Sequence, residues 1–216
     1  MGAFIAEFIG TFALMFIGGG AIINGNATLV GVALAHGLTI AAFGSAFGAV
    51  SGGHFNPAVT LAMLVTGRID VPKGLGYIAV QCLGAMVAAF LLTITFPADQ
   101  VATAKLGTPL LAGNITIGGA IIAEAVTTFA LVSVIMGTVV DARAPKLGAL
   151  LIGLTVTLDI LCIGPLTGAA MNPARSIGPA LVSGNLENFW VYWIGPMIGG
   201  VAAAVLYDAV MHKREA

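Results

Sequence analysis

Long apolar stretches separated by short polar segments dominate the chain. Between Glu7 and Arg68 lie 60 residues without an acid, a lysine or an arginine. Two helices of about 20 residues each would cross the hydrocarbon core of a membrane and use about 40 of these positions. Residues 52–57 fall in the remainder and contain two glycines and an Asn-Pro pair. We interpret this remainder as a segment that enters the membrane and returns to the same side.

The same pattern along the whole chain predicts six membrane-spanning helices and two short helices that cross half of the membrane. The short helices are predicted from Asn56 to about Thr66 and from Asn172 to about Ser183. The predicted fold class is therefore all-α and integral to the membrane. The six full spans are predicted near 3–23, 29–49, 74–96, 116–140, 146–163 and 188–210.

The second half of the chain repeats the first in its letters as well as in its hydrophobicity. Glu7 corresponds to Glu124, 117 positions later, and the triplet Asn56-Pro57-Ala58 corresponds to Asn172-Pro173-Ala174, 116 positions later. A unit of three spans has an odd number of crossings, so its second copy is inverted in the membrane. Inverted repeats place a shared site near the midplane.

Each Asn-Pro-Ala triplet predicts a helix start, because asparagine is a favoured N-cap and proline a favoured first helical residue. Such a start inside a membrane is tolerated only where the backbone is buried in protein or lines a watery cavity. Two half-helices that enter from opposite faces would meet with their positive ends facing each other. The pattern therefore predicts a pore or site that repels cations and accepts small neutral hydrogen-bonding molecules.

Composition supports a membrane protein and excludes several other classes. Charged residues make up 8% and hydrophobic residues 59% of the chain, against roughly 25% and 45–50% in soluble domains. The formal net charge of −1 gives no basic surface for nucleic acid. The two cysteines lack metal-like spacing, so we expect neither a zinc site nor a disulfide framework, and no cofactor. A Gly-x-Ser-x-Gly nucleophile motif is absent from the sequence, so an enzyme is not expected.

One position distinguishes the two half-helices. Three residues after the asparagine, the first copy has Val59 and the second has Arg175. A cation in the first turn opposes the helix dipole, and an arginine inside a membrane is costly. We interpret Arg175 as functional, the alternative being an arginine that extends to the interface or satisfies loop carbonyls.

Residues 51–60, Ser-Gly-Gly-His-Phe-Asn-Pro-Ala-Val-Thr, and residues 167–176, Thr-Gly-Ala-Ala-Met-Asn-Pro-Ala-Arg-Ser, resemble the two signature loops of the aquaporins, or major intrinsic proteins. The resemblance covers the whole chain. It implies a homotetramer whose subunits each hold a pore, with a selectivity filter on the extracellular side of the paired asparagines. The implied filter residues are His36, Ile160, Ala169 and Arg175.

The implied filter resembles that of the plant tonoplast-intrinsic group. In water-strict family members the first filter position is usually aromatic and the second a histidine, whereas this chain has His36 and Ile160. The resemblance therefore implies a filter that is wider and less polar on one wall. Water is the expected substrate, and ammonia, urea, glycerol and hydrogen peroxide are candidate additional solutes.

Four further polar residues lie in apolar surroundings. Glu7 and Glu124 are expected to accept hydrogen bonds from the backbone of the re-entrant loops, the alternative being a proton relay. His54 is expected to support its own loop. Asp159, next to Ile160, either pairs with a loop donor or shapes the outer vestibule, and the sequence does not decide between these roles.

Lysine and arginine positions predict the orientation of the chain. In a six-span layout only Lys105 lies in a loop on one side, so the positive-inside rule places both termini in the cytoplasm, and we expect the plasma (inner) membrane. Close helix packing is expected for Gly37 against Gly153 and for Gly84 against Gly200. The basic residues on the predicted cytoplasmic side are Arg68, Lys73, Arg143, Lys146, Lys213 and Arg214.

These observations favour a passive channel that excludes ions and protons. An ion-coupled secondary transporter with a midplane site is the alternative, for which Glu7 and Glu124 would be the available ionisable groups. We expect residues 1–216 to form one channel domain. Its inverted repeats would be approximately 1–97 and 116–216, joined by an extracellular loop near 98–115.

Overall fold

The structure is a computed structural model that describes residues 1–144 and 146–211, so Lys213 and Arg214 lie outside the described residues. All regular structure in these two ranges is helical. Lys105–Gly107 forms a 3₁₀ turn, and the π-helical turns Met136–Val140 and Tyr207–Met211 extend α6 and α9. The α-helices are α1 (Gly2–Ile23), α2 (Leu29–Ser51), α3 (Pro57–Val65), α4 (Val71–Thr95), α5 (Ala98–Thr103), α6 (Ile117–Ile135), α7 (Gly148–Thr167), α8 (Pro173–Ser183) and α9 (Val191–Leu206).

Six helices within the described ranges are long and apolar enough to cross a membrane: α1, α2, α4, α7, and α6 and α9 with their π-helical turns. The predicted fold class is therefore confirmed. The predicted end of α7 at residue 163 is wrong, because the helix continues past Pro165 to Thr167. Gly168 ends it in the left-handed conformation at φ +80° and donates its N–H to the carbonyl oxygen of Gly164.

The two short helices α3 and α8 begin at the asparagines. Asn56 Oδ1 accepts the N–H of Ala58 at 2.8 Å, and Asn172 Oδ1 accepts those of Ala174 and Arg175 at 3.0 and 3.3 Å. A proline follows each asparagine at the first helical position. Helices of 9 and 11 residues are about 14 and 17 Å long, roughly half of the hydrocarbon thickness.

Each short helix packs against a long helix of the other repeat. α3 lies against α9, and α8 lies against α4. The approach of α8 requires a glycine, since a Cβ atom on Gly178 would lie 2.7 Å from backbone and side-chain atoms of Ala85. The repeats are therefore interlocked through their short helices, and α2 and α7 add a direct contact between them.

Glycines allow several close helix contacts, although only one predicted pair is correct. A Cβ on Gly37 would lie 2.3 Å from the carbonyl oxygen of Gly153, and the converse distance is also 2.3 Å, which confirms this pair. The pair Gly84 and Gly200 is wrong. Gly84 instead packs against α1, and its counterpart on α9 is Gly199, 115 positions later. A one-residue shift rotates a helical position by about 100° and moves it to another face.

An ion pair connects the end of α3 to the end of α9, and a tyrosine hydrogen bond connects the end of α9 to the end of α6. Arg68 forms two hydrogen bonds with Asp208, at 2.6 and 2.7 Å. After α6, the Arg143 guanidinium donates to both oxygens of Asp141, and Tyr207 Oη donates to Asp141 at 3.0 Å. The hydrogen bonds from Arg143 hold the pKa of the Asp141 carboxyl well below its usual range. Arg68 and Arg143 thus lie at the same end of the bundle.

We predict that Arg143→Ala lowers the melting temperature by a few degrees at neutral pH, because an ion pair whose arginine is largely exposed contributes modestly. Asp141 has a depressed pKa in the folded state, so its contribution is complete above its ordinary pKa of about 4 and is lost as the pH falls below that value. Melting of the detergent-solubilised parent and variant between pH 7 and pH 3 measures this difference.

The difference in melting temperature between parent and variant is expected to shrink below about pH 4. Lys146→Ala is the control, because it removes a cation from the same loop and outside this ion pair. A difference that stays constant down to pH 3 contradicts the assignment.

Candidate functional site

The two loops that precede α3 and α8 have the same backbone conformation. Three positions in each loop have positive φ angles, and three of these six residues are not glycine. A positive φ costs about 1 kcal/mol or more for a residue with a side chain, so surrounding contacts must hold it. The angles are +94°, +64° and +48° at Gly52, Gly53 and Phe55, and +80°, +46° and +50° at Gly168, Ala169 and Met171.

Glu7 holds the first loop. Its carboxylate is fully buried and accepts the backbone N–H groups of His54 and Phe55 at 2.9 and 2.7 Å. It also accepts Ser51 Oγ–H at 2.6 Å and a Gln81 Nε2–H at 2.7 Å. Four donors therefore surround two oxygens, and two of the donors are backbone N–H groups of the re-entrant loop.

Glu124 holds the second loop in the same way. It is also fully buried and accepts the N–H groups of Ala170 and Met171 at 2.9 and 2.7 Å, together with Thr167 Oγ1–H at 2.7 Å. These contacts fix the backbone on both sides of Ala170. As a result, the carbonyl of Met171 is held beside the first repeat.

Two tyrosines complete the support, a role that no local pattern in the sequence indicates. Tyr77 Oη donates to the carbonyl of Ser51, and Tyr192 Oη donates to the carbonyl of Thr167, both at 2.8 Å. The tyrosines lie 115 positions apart on α4 and α9. An alignment of the two repeats that used the offset of 115 found for Gly84 and Gly199 would have paired the two tyrosines.

The two asparagines connect the repeats at the centre of the molecule. Asn56 Nδ2 donates to the carbonyl of Met171, and Asn172 Nδ2 donates to the carbonyl of Phe55, both at 2.8 Å. An amide nitrogen has two hydrogens, so each asparagine retains one further donor. Both side chains line the same cavity, where this second donor is available to a molecule in the lumen.

His36 and Arg175 contact each other at the wall of this cavity. His36 Nδ1 lies 2.8 Å from the carbonyl of Val32, so it carries the hydrogen and donates it. Nε2 is then an acceptor, and Arg175 Nη2 donates to it at 3.4 Å. Arg175 Nε and Nη1 have no hydrogen-bond partner among the described residues, although the side chain is 97% buried.

Both polar and apolar side chains line the cavity. His36, His54, Asn56, Asn172 and Arg175 supply the polar side chains. The structure therefore brings the implied filter residues and both asparagines to one lumen. The other lining residues include Ile160 and Ala169 of the implied filter, together with Leu14, Ile40, Val59, Leu131, Ile135, Ile152 and Val156.

His54 and Asp159 are placed differently from Glu7 and Glu124. His54 binds Glu7 through its backbone, while its ring lines the cavity and lies 3.1 Å from Thr60 Oγ1. Asp159 is buried in α7, does not line the cavity, and has an Oδ2 atom without a partner among residues 1–144 and 146–211. Nothing in the structure explains Asp159.

The family model for "Major intrinsic protein" matches residues 1–207. The chain belongs to this family. Aquaporin-4 from Homo sapiens is 42% identical over 217 residues, covering 96% of this chain and 67% of the relative. Aquaporin TIP4-4 from Zea mays is 44% identical over 222 residues, covering 96% of this chain and 86% of the relative.

A solved structure agrees with this assignment. The aquaglyceroporin from Plasmodium falciparum has a TM-score of 0.83 and 29% sequence identity, with coverage of 97% of this chain and 96% of that one. Like other members of the major intrinsic protein family, the chain is a multi-pass membrane channel and not an enzyme. The transporter alternative is not favoured, because Glu7 and Glu124 bind the loops and neither lines the cavity.

We predict that Glu124→Gln lowers stability by roughly 1–3 kcal/mol, the usual cost of leaving a buried donor unpaired. A glutamine that keeps its oxygen toward Thr167 and Ala170 would present an NH₂ group to the N–H of Met171. Thermal unfolding in detergent measures the loss, with the exposed Glu187→Gln as control. Equal melting temperatures for parent and Glu124→Gln would show that the carboxylate does not hold the loop.

Proposed function

We propose that the chain is a passive channel for water that excludes ions and protons. The observation that carries the proposal is the meeting of two helix starts at one lumen, with a free amide donor from Asn56 and another from Asn172. Water can accept these hydrogen bonds in place of those it leaves in bulk solution. The relatives named as aquaporins support the same substrate.

Electrostatics supports the exclusion of cations. The N-terminal ends of α3 and α8 each carry roughly half a positive charge, and both are directed at the centre of the lumen. Arg175 adds a full positive charge in the first turn of α8, and two of its nitrogens, Nε and Nη1, have no partner among the described residues. A cation or an excess proton therefore meets positive potential at two places along the lumen.

The filter residues support passage of solutes larger than water. We propose that His36, Ile160, Ala169 and Arg175 form the selectivity filter and that ammonia, urea, glycerol or hydrogen peroxide cross it in addition to water. Ile160 and Ala169 present no polar side-chain atom, and Ala169 is also small, while His36 and Arg175 supply polar groups. The tonoplast-type name of the Zea mays relative agrees with this proposal.

We further propose a homotetramer in the plasma (inner) membrane, with both termini in the cytoplasm. Each subunit would be one channel domain over residues 1–216, with inverted repeats of approximately 1–97 and 116–216 and an extracellular connection near 98–115. Exposed leucines such as Leu38 and Leu158, 52% and 64% exposed, give α2 and α7 apolar outer faces suited to lipid or to other copies.

The first experiment measures osmotic permeability and electrical conductance on the same reconstituted protein. We expect rapid water flow without an ion gradient and without current. Arg175→Val introduces the residue that the first repeat has at the corresponding position, and it should raise proton or cation leak because a fixed charge is lost. A current that scales with water flux in the parent contradicts the proposed exclusion, and a dependence of flux on an ion gradient would favour the transporter.

The second experiment tests the solute range. We expect ammonia to cross the parent channel in proteoliposomes, with slower uptake of urea or glycerol. The variant His36→Phe with Ile160→His introduces the residue types found in water-strict members and should reduce these solute fluxes relative to water. Equal ratios of solute to water flux in the two proteins would show that His36 and Ile160 do not set selectivity.

A further inference from the structure

We propose that Gly18 of α1 is a positioning residue that determines where the His36 imidazole lies in the filter. This inference rests on the proposed role of His36 in selectivity. A Cβ atom built on Gly18 would lie 2.4 Å from Nε2, 2.5 Å from Cδ2 and 2.7 Å from Cε1 of His36. The three nearest atoms all belong to one edge of the imidazole, so this edge lies directly against the backbone of α1.

The ring cannot move away from α1 together with its helix, and the open space beside it is the cavity that it lines. Its Nδ1 is held by the carbonyl of Val32, four residues earlier on α2. Helix α2 packs between α1 and α7. It cannot retreat from α1, because Gly37 is already in close contact with Gly153 of α7. A methyl group at position 18 must therefore rotate the imidazole, which breaks its hydrogen bond to Val32 or its contact with Arg175.

The second repeat shows that the fold itself does not require a glycine here. The position equivalent to Gly18 is Ile135, 117 residues later, and the position equivalent to His36 is Ile152, 116 residues later. Both isoleucines line the cavity. An isoleucine is thus accommodated on α6 where no imidazole lies opposite. We therefore attribute the glycine on α1 to the imidazole that lies against it, and not to the helix packing that the two repeats share.

The test compares Gly18→Ala, His36→Ala and the double variant with the parent in proteoliposomes. We expect Gly18→Ala to lower water permeability by roughly threefold or more and to change the ratio of ammonia to water flux, because the ring is displaced into the lumen. In the His36→Ala background the same alanine should have no further effect, since its methyl group fills space that the ring has vacated.

Gly20→Ala is the matched control. It lies on the same helix and is also buried, but its Cβ would meet only ordinary contacts, the nearest being Phe96 at 3.4 Å. We expect this variant to have the flux ratio of the parent. If Gly18→Ala has the parent ratio, or if it changes fluxes only as Gly20→Ala does, the positioning role is overturned.

The remaining outcomes separate this inference from the proposed function. If His36→Ala itself keeps the parent ratio, His36 is not a filter residue, and the proposed role fails together with the inference. If His36→Ala changes the ratio and Gly18→Ala does not, only the inference fails. Should Gly18→Ala not fold, folding of the double variant would support the contact with His36. A double variant that also fails would overturn it, because the methyl group would then clash with something else.

Discussion

The structure depends on one constraint, which is that backbone N–H groups buried at membrane depth need partners other than water. The loops before α3 and α8 expose such groups where α2 and α7 end. Glu7 and Glu124 accept them, and each carboxylate is itself fully buried and surrounded by donors. Without these acceptors the positive-φ residues Phe55, Ala169 and Met171 would have little to hold them.

The loops in turn allow the two repeats to hold each other. Once Glu124 has fixed the backbone at Met171, its carbonyl can accept the amide of Asn56, and the converse bond joins Asn172 to Phe55. The amide oxygens meanwhile cap α3 and α8. A single amide thus begins a helix, joins the repeats and presents a donor to the lumen. The two amides therefore give the lumen polar groups at its centre without a charged residue there.

The glutamates and tyrosines that hold the loops are the same in both repeats, whereas the candidate filter residues differ between the repeats. The glutamates, asparagines and supporting tyrosines occur in both repeats. In contrast, Arg175 corresponds to Val59 and His36 to Ile152, so the histidine and arginine that meet in the lumen have apolar counterparts in the other repeat. Membership of the major intrinsic protein family accounts for the shared scaffold. The proposed selectivity belongs to the positions at which the second copy differs from the first.

The sequence by itself determined the fold class, the number of spans and the starts of both short helices, because long apolar runs and Asn-Pro pairs are local signals. It also paired Gly37 with Gly153 through a constant repeat offset. The same offset failed for Gly84, because α4 and α9 are shifted by one residue, and a helix face changes with each residue. The predicted end of α7 was too early, because the helix continues past Pro165 to Thr167.

Only the tertiary structure decided which groups meet. Tyr77 and Gln81 show no local pattern that distinguishes them from other polar residues in a span, and their partners lie 26 and 74 residues away. The contact of Gly18 with His36 likewise depends on the distance between α1 and α2. Hydrophobic periodicity specifies which segments become helices. The packing of one helix against another decides which side chains touch. This packing depends on residues that are far apart in the chain, so no local pattern specifies it.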